Sequence, residues 1–328
     1  MPTSFAANSS RAPVSVLVPT YNGSELLLET IDSILSQKFA PAEVIILDYG
    51  STDDTCEAVA RMGGGVKYHY RQNEGISAAR NQAVALAQFK FVAFCDHDDL
   101  WRPDKLLQQM ELHLLRPDLK FSFTNFSTVN SGYWSIETKF DAARGGFFDD
   151  FTPIGKNLIA EFSLYSKLLK FQPIVPSSVV MTKALYDSCG GANEVFGKNP
   201  SEYLDLTLRC VHKPPIGAIT DPVVGIRNHV SNYSGSDIGY ALGQLEIISH
   251  ALENHSIGEM ERAAIIERMI TARINTSYYL FADRDFETCR ELLSAVPSDR
   301  LDRILKIKLL ISKMPLTIAL VMHSLVVR

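Results

Sequence analysis

The sequence has few cysteines, no long hydrophobic run and no excess of basic residues. Its five cysteines are widely spaced, without a CxxC pair or a Cys/His zinc spacing, so we expect reduced thiols packed as small hydrophobic side chains. No run approaches the ~20 apolar residues that cross a bilayer, and residues 1–13 lack the basic-then-apolar pattern of a signal peptide. A net charge of −5 argues against a nucleic-acid-coating protein. These absences predict a cytoplasmic protein with no nucleic-acid partner.

Apolar residues are plentiful: they make up 46% of the 328 residues. A chain of this length buries most of the surface that it exposes when unfolded, so it needs no disulfides. It also exceeds the ~250–300 residues at which one hydrophobic core stops growing. We therefore expect one large domain and an appendage.

Short apolar runs alternate with segments of helical spacing in the first third of the chain. Four such alternations predict an open, mostly parallel α/β sheet with right-handed crossovers. Ligands bind such sheets beyond the carboxyl ends of the strands. Strands are predicted at residues 14–19, 43–48, 66–70 and 90–96, and helices at 23–37, 52–62, 75–88 and 105–115.

The pattern is less regular in the rest of the chain. Residues 130–172 are aromatic-rich, and we interpret them as an insertion with one helix near Asn157–Leu169. Residues 175–181 and 223–226 resemble strands, and 202–210 a helix. The predicted organisation is a flexible N-terminus over 1–12, an α/β domain over 13–236 and a helical C-terminal region over 237–328.

Five polar clusters fall where the sheet should bind its ligand. The acidic turn Asp96-His-Asp-Asp99 has the clearest chemistry. Its three carboxylates repel one another unless a cation neutralises them, and hard oxygen ligands suit Mg²⁺ or Mn²⁺ together with ligand phosphates. The alternative is a solvated acidic turn before the next helix. The other clusters are PTYN at 19–22, DYGSTD at 48–53, NEGISAARN at 73–81 and RNH at 227–229.

These five motifs, in this order and at these spacings, resemble the family 2 glycosyltransferases of the GT-A fold, which use nucleotide-activated sugars mostly to build bacterial surface polysaccharides. The resemblance covers about residues 14–234. Each motif alone is weak, but the ordered set is specific. The resemblance implies a GT-A fold, an open mixed sheet flanked by helices, with the C-terminal region as a helical appendage.

The resemblance also implies roles for individual residues. Asp98 and His229 would bind Mn²⁺ or Mg²⁺ at the diphosphate, where the charge of the leaving group develops. Asp96 would meet the ribose, and Asp48 would help to recognise the base, usually uracil. The full set implied to bind the nucleotide sugar is Pro19, Tyr21, Asn22, Asp48, Gly75, Arg80, Asp96 and Arg227.

Two positions depart from the family pattern. Tyr49 stands where a second Asp usually follows Asp48, so one common contact to the base is missing. Tyr203 stands where inverting members carry the Asp that removes the acceptor proton, and a phenol of pKa about 10 is a poor base. Glu202 is the nearest carboxylate that could serve, and Asp205 is the next. Residues 130–172, which we expect to lie near the acceptor side, could supply a different base. The other alternative is a non-catalytic protein that still binds a nucleotide sugar.

The last 29 residues combine basic and apolar side chains. Residues 300–328 contain six basic residues and one acid, a local charge of +5. One interpretation is a last helix packed on the catalytic domain. The other is an amphipathic segment on an anionic inner leaflet, where each Lys or Arg contributes about 1 kcal/mol. The second would make the protein peripheral on the inner face of the plasma membrane.

The sequence therefore predicts a metal-dependent inverting glycosyltransferase. Its donor would be a nucleotide-diphosphate sugar, with a UDP-sugar favoured, and its acceptor a saccharide or lipid-linked sugar in cell-surface polysaccharide synthesis. One alternative is a catalytically degenerate subunit that binds a nucleotide sugar or acts as a scaffold. A sugar nucleotidyltransferase is disfavoured, because residues 20–25 have one Gly and no Lys or Arg.

Overall fold

A computed structural model describes residues 11–143, 146–229 and 237–326. Most of the predicted flexible N-terminus and the predicted boundary at 236/237 lie outside these residues. The chain divides into two compact units, which are described separately. The first comprises residues 1–198 and 202–232, and the second residues 199–201 and 233–328.

In the described residues of the first unit, eleven strands form one mixed sheet. The strand order is β3-β2-β1-β4-β10-β6-β11-β9-β8, with β5 paired to β11 and β7 to β6. The strands are β1 (Ala12–Thr20), β2 (Pro41–Asp48), β3 (Lys67–Tyr70), β4 (Phe91–Phe94), β5 (Leu100–Trp101), β6 (Phe121–Asn130), β7 (Tyr133–Thr138), β8 (Thr152–Ile154), β9 (Asn157–Ala160), β10 (Val180–Thr182) and β11 (Ile216–Arg227).

The first four strands form the parallel part of the sheet. β1 lies between β2 and β4 and is parallel to both, so the segments that follow these strands meet at one edge. The direction changes at β10, which is antiparallel to β4 and β6. β11 is parallel to β6 and ends two residues before His229. The chain after β11 therefore reaches the same edge as the chain after β4.

The helices of this unit bury one side against the sheet. In α1 the buried side chains recur at helical spacing, at Leu27, Thr30, Ile31 and Ile34. They pack in a core with β1 and β2 residues such as Val16 and Ile46. The helices are α1 (Ser24–Leu35), α2 (Thr55–Arg61), α3 (Ile76–Leu86), α4 (Lys105–Leu115), α5 (Tyr165–Leu168), α6 (Lys183–Ser188) and α7 (Tyr203–Val211).

The predicted elements of residues 14–115 are confirmed, with ends that shift by a few residues. The helix predicted near Asn157–Leu169 is wrong, because β9 occupies its first part and only α5 is helical. β8 and β9 extend the sheet beyond β11, so residues 130–172 are not the irregular segment that we expected. Strands of three or four residues are stabilised by their neighbours, and their own sequence shows too little periodicity to reveal them.

The second unit is helical in its described residues. Its core contains Phe281, Phe286, Leu293 and Ala319. His323 lies against this core, its ring 5.1 Å from that of Phe281. No helix in the described part of the chain is both long enough and apolar enough to span a membrane. The helices are α8 (Asp237–Asn254), α9 (Glu259–Ala282), α10 (Phe286–Ser294), α11 (Arg303–Ser312) and α12 (Leu316–Val326).

Candidate functional site

The acidic turn after β4 meets the segment after β11. Asp98 Oδ2 lies 2.9 Å from His229 Nε2, and about a fifth of each side chain is exposed. The resemblance assigns both residues to the metal, and the fold brings them together. Residues 11–143, 146–229 and 237–326 contain no cluster of three or more His, Cys, Asp or Glu side chains that could hold a metal ion.

Arg227 connects the acidic turn to α1. Its Nε donates a hydrogen bond to the carbonyl oxygen of Asp98. Its Nη1 donates to Glu29 (2.7 Å), and its Nη2 donates to the Leu26 carbonyl (2.9 Å) and to Thr30 Oγ1 (2.7 Å). The guanidinium that was predicted to bind the nucleotide sugar is therefore bonded to the protein at all three nitrogens.

A buried hydrogen-bond network holds the acidic turn in place. Ser177 Oγ donates to the carboxylate of Asp99 and accepts the backbone N–H of Asp96 at 3.0 Å. Trp101 Nε1 donates to the Ser177 carbonyl at 3.0 Å. Burial raises the pKa of Asp99 well above its ordinary value, and the charges of the neighbouring acids add to this rise. Ser177 carries no motif signal, so the sequence could not place it here.

Lys105, in the first turn of α4, is fully buried near this network. Its Nζ lies 3.7 Å from the centroid of the Trp101 ring and has no hydrogen-bond partner among the described residues. Burial lowers the pKa of Lys105 to about 7. A cation over an aromatic face is attracted by the negative face of the ring, which offsets part of the cost of desolvation.

Arg80 joins two carboxylates that are far apart in sequence. Its Nη2 lies 3.0 Å from Asp96 Oδ1, and its Nη1 donates to Glu202 Oε1. The arginine is 2% exposed, because α3 places it on the side that faces the sheet. Burial raises the pKa of Glu202, and the Arg80 charge opposes this rise. Arg80 thus links the predicted donor side to the predicted base.

The side chains of Tyr203 and Asp205, in the first turn of α7, are buried. Tyr203 is buried, with its ring 6.3 Å from Phe94 in an edge-to-face arrangement. Burial raises the pKa of Tyr203 well above its ordinary value, so even less of the phenolate that could accept a proton exists at neutral pH. Asp205 is 1% exposed and accepts hydrogen bonds from Arg209, at 3.1 Å from Nε and also from Nη2.

The turn after β2 depends on Asp48. Its Oδ1 accepts the N–H groups of Gly50 (3.0 Å) and Ser51 (2.8 Å), and its Oδ2 accepts the Tyr68 hydroxyl (2.6 Å). Burial, followed by the Asp48 carboxylate, raises the pKa of Tyr68 above its ordinary value. Asp48 is 1% exposed. This aspartate therefore shapes the loop in addition to any contact with a base.

The other residues predicted to bind the nucleotide sugar lie at the end of β1 or just before α3. Pro19 is buried inside β1, whereas Tyr21 is 39% exposed. Asn22 has a positive φ of 49° and accepts the Thr52 N–H at Oδ1. Gly75 precedes α3 with a φ of 91°, and a Cβ there would lie 2.7 Å from the Gly197 carbonyl oxygen. Close backbone packing thus explains the glycine at 75.

These features define the class of site. An open α/β sheet ends in clustered polar side chains where its strand order and direction change, which is where such sheets bind nucleotides. Residues 15–167 match the model of the family described as Glycosyl transferase family 2. The resemblance drawn from the motifs is therefore confirmed for this part of the chain.

The curated relatives are bacterial glycosyltransferases. An uncharacterized glycosyltransferase of Rickettsia felis is 26% identical over 279 residues, which are 84% of this chain and 42% of that protein. The UDP-Glc:alpha-D-GlcNAc-diphosphoundecaprenol beta-1,3-glucosyltransferase WfgD of Escherichia coli is 29% identical over 175 residues, which are 52% of this chain and 61% of WfgD. The chain thus spans about two fifths of the length of the Rickettsia relative.

Solved structures show the fold. S. aureus TarS 1–349 in complex with UDP-GlcNAc has a TM-score of 0.65 at 17% identity, covering 95% of this chain and 91% of that one. The mannosyltransferase PcManGT from Pyrobaculum calidifontis, in complex with GDP-Man and Mn²⁺, has a TM-score of 0.58 at 18% identity, covering 95% and 87%. The predicted GT-A fold is confirmed by this likeness.

Proposed function

We propose that this chain is a metal-dependent glycosyltransferase that moves a sugar, with inversion, from a nucleotide-diphosphate donor to a saccharide or lipid-linked acceptor in cell-surface polysaccharide synthesis. The observation that carries the proposal is the 2.9 Å approach of Asp98 to His229, with Arg80 joining Asp96 to Glu202. The relatives named for UDP-Glc, UDP-GlcNAc and GDP-Man support a nucleotide-sugar donor. A UDP-sugar is favoured, since two of these three names contain it.

The residues of the acidic turn fit a divalent cation. The Asp98 carboxylate and the His229 imidazole, both partly exposed, could bind a divalent cation together with phosphate oxygens and water, which are common ligands of Mg²⁺ and Mn²⁺. Asp98 and His229 would hold the ion, which would neutralise charge on the leaving diphosphate. PcManGT, which was solved with Mn²⁺, supports this assignment.

The protein's own contribution is to position the charges. Arg227 holds the turn through the Asp98 carbonyl and through α1, which keeps Asp98 within reach of His229. Arg80 donates a hydrogen bond to one carboxylate oxygen of Glu202, which orients that side chain. Burial raises the pKa of the same carboxylate. A carboxylate with a raised pKa is a stronger base than a solvated one. Glu202 is our choice for the group that accepts the acceptor's hydroxyl proton.

A nucleotide-sugar-binding subunit without transfer activity is the second candidate. The buried phenol of Tyr203 and the pairing of Asp205 with Arg209 favour it, because neither residue is placed to accept a proton. This candidate and the enzyme share the donor site. They differ in whether sugar reaches an acceptor.

The first test is calorimetric titration of the full chain with UDP, GDP, dTDP and CDP, in Mn²⁺ and then in EDTA. We expect one nucleotide to bind best, and we expect that affinity to fall about ten-fold or more in EDTA and in Asp98→Ala. Asp283→Ala, an exposed aspartate after α9, is the matched control and should bind normally. Equal affinity with and without metal would contradict metal dependence. Transfer of sugar from a sugar ester of the nucleotide that binds, with release of that nucleoside diphosphate, would distinguish the enzyme from the binding subunit.

The acceptor side of the proposal includes contact with a membrane surface. Four apolar side chains of α11 and α12 are more than half exposed, and three exposed cations lie in α11 or directly after it. An anionic lipid surface would satisfy both groups, because apolar side chains enter the acyl boundary while cations stay with the phosphates. The apolar residues are Ile304, Leu310, Leu316 and Val321, and the cations Arg303, Lys306 and Lys313.

Vesicle sedimentation tests this contact. We expect the chain to bind phosphatidylglycerol vesicles, to lose binding in high salt, and to lose it in the double variant Leu316→Asn/Val321→Asn. Ile136→Asn removes an even more exposed apolar residue, in β7, and should have no effect. A truncation after Lys313 is a poorer test, because Ala319 and His323 pack in the core of the second unit. Binding of the double variant at the wild-type level would refute the contact.

A further inference from the structure

Two tyrosines stack at the edge of the sheet where the donor site lies. The ring centroids of Tyr21 and Tyr49 are 5.6 Å apart, and the ring planes are inclined by 24°. Tyr21 directly follows β1 and Tyr49 directly follows β2, so two neighbouring parallel strands present the pair. Tyr49 is also the residue that replaces the second Asp of the family pattern. The substitution therefore replaces a charge with an aromatic surface.

The two loops that hold these rings are bonded to each other. The Tyr49 N–H donates to the Thr20 carbonyl at 3.0 Å. The Asn22 N–H donates to Ser51 Oγ, and the Thr52 N–H donates to Asn22 Oδ1, both at 2.8 Å. These hydrogen bonds are made by residues close in sequence to Tyr21 and Tyr49. The stacked pair is therefore held in place before any ligand binds.

Asp48 has little capacity left to recognise a base. A carboxylate offers about four acceptor positions. Two N–H groups and the Tyr68 hydroxyl occupy three of them in Asp48. A base could reach one remaining position of a side chain that is almost fully buried. At position 49, a phenol ring can contribute a flat surface where an aspartate would contribute only acceptors.

We propose that Tyr49, together with Tyr21, forms an aromatic platform that binds the nucleobase of the donor by stacking. This inference rests on the proposed function and adds a determinant of donor affinity to it. Stacking on an aromatic ring tolerates every base, because every base has a π-face. Tyr49 therefore strengthens the binding of all nucleoside diphosphates by similar factors, and discrimination among bases comes from other groups.

The test uses two substitutions at one position. Tyr49→Phe keeps the ring and loses the hydroxyl, whereas Tyr49→Leu loses the ring. Tyr279→Leu, at a half-exposed tyrosine of α9, is the matched control. Each variant and the wild type are titrated with UDP, GDP, CDP and dTDP in Mn²⁺, and with inorganic pyrophosphate, which has no base. Thermal unfolding of each variant confirms that it folds.

We expect Tyr49→Phe to bind each nucleotide within about two-fold of the wild type. We expect Tyr49→Leu to weaken every nucleotide that binds by about ten- to a hundred-fold, with pyrophosphate affinity unchanged. An unchanged Tyr49→Leu would overturn the inference, and so would a loss confined to one base or an equal loss in Tyr49→Phe. If the wild-type protein binds no nucleotide, the proposed function fails together with this inference. If the wild type binds and Tyr49→Leu binds equally well, only this inference fails.

Discussion

The guanidinium of Arg80 donates a hydrogen bond to the carboxylate of Glu202, 122 residues further along the chain. The same guanidinium pairs with Asp96 at 3.0 Å. Arg80 is buried, so both contacts lie in a region of low dielectric constant where charge–charge interactions are strong. This relationship connects the donor side of the site to its candidate base, and it leads to the first prediction.

Glu202→Gln should lower the rate of sugar transfer by about 10²–10⁴-fold. The amide keeps the shape of the side chain and can still accept from Arg80, but it cannot take a proton. Nucleotide affinity, measured by calorimetry, should stay within about two-fold. The wild-type rate should rise with pH as Glu202 deprotonates, and this limb should be absent from the variant. Full turnover by Glu202→Gln would eliminate Glu202 as the base.

Lys105→Met should stabilise the protein. The lowered pKa of Lys105, about 7, means that the native state resists protonation of this amine. The unfolded amine keeps a pKa near 10.4, so the unfolded state binds more protons between pH 7 and 10, and wild-type stability rises over that window. Below pH 7 the native state contains the full unfavourable buried charge. Urea unfolding at pH 6 should show a gain of at least about 1 kcal/mol for the variant.

The gain from Lys105→Met should shrink as pH rises toward 10, because the wild-type native amine is then neutral. Lys306→Met, at an exposed lysine of α11, is the matched control and should show no such pH dependence. A stability loss in Lys105→Met at pH 6 would mean that the buried ammonium is compensated by nearby acids.

Arg227→Met distinguishes a positioning role from a ligand role. In the structure the guanidinium bonds Asp98, Glu29, Leu26 and Thr30, so its loss should lower the free energy of unfolding by about 1–3 kcal/mol. It should also weaken Mn²⁺ binding measured without nucleotide, because the turn that holds Asp98 is released. A direct phosphate ligand would behave differently: nucleotide affinity would fall while unfolding and Mn²⁺ binding stayed normal.

Gly75→Ala should be destabilising by about 1–3 kcal/mol. The φ of 91° is unfavourable for alanine, and its Cβ would lie 2.7 Å from the Gly197 carbonyl oxygen. Gly64→Ala is the control, since a Cβ there meets nothing within 4 Å. Differential scanning calorimetry of the two variants measures the contrast. Equal melting temperatures would show that the loop before α3 can move without cost.

The sequence was sufficient for the first half of the sheet. Long apolar runs and helical spacing are local properties, so β1 to β4 and the helices between them follow from residues 14–115. It was insufficient for β8 and β9, whose three and four residues are strands only because they pair with each other and with β11. Edge pairing of this kind depends on distant neighbours.

The candidate site divides in the same way. The sequence alone determined which polar motifs follow the strands, and from these motifs we predict that Asp96, Asp98 and His229 share one site. Only the tertiary structure decided that Arg227 is bonded to α1, that Tyr203 is buried and that Tyr49 stacks on Tyr21. Motifs record residue types along the chain, whereas hydrogen-bond partners and burial depend on which distant segments pack together.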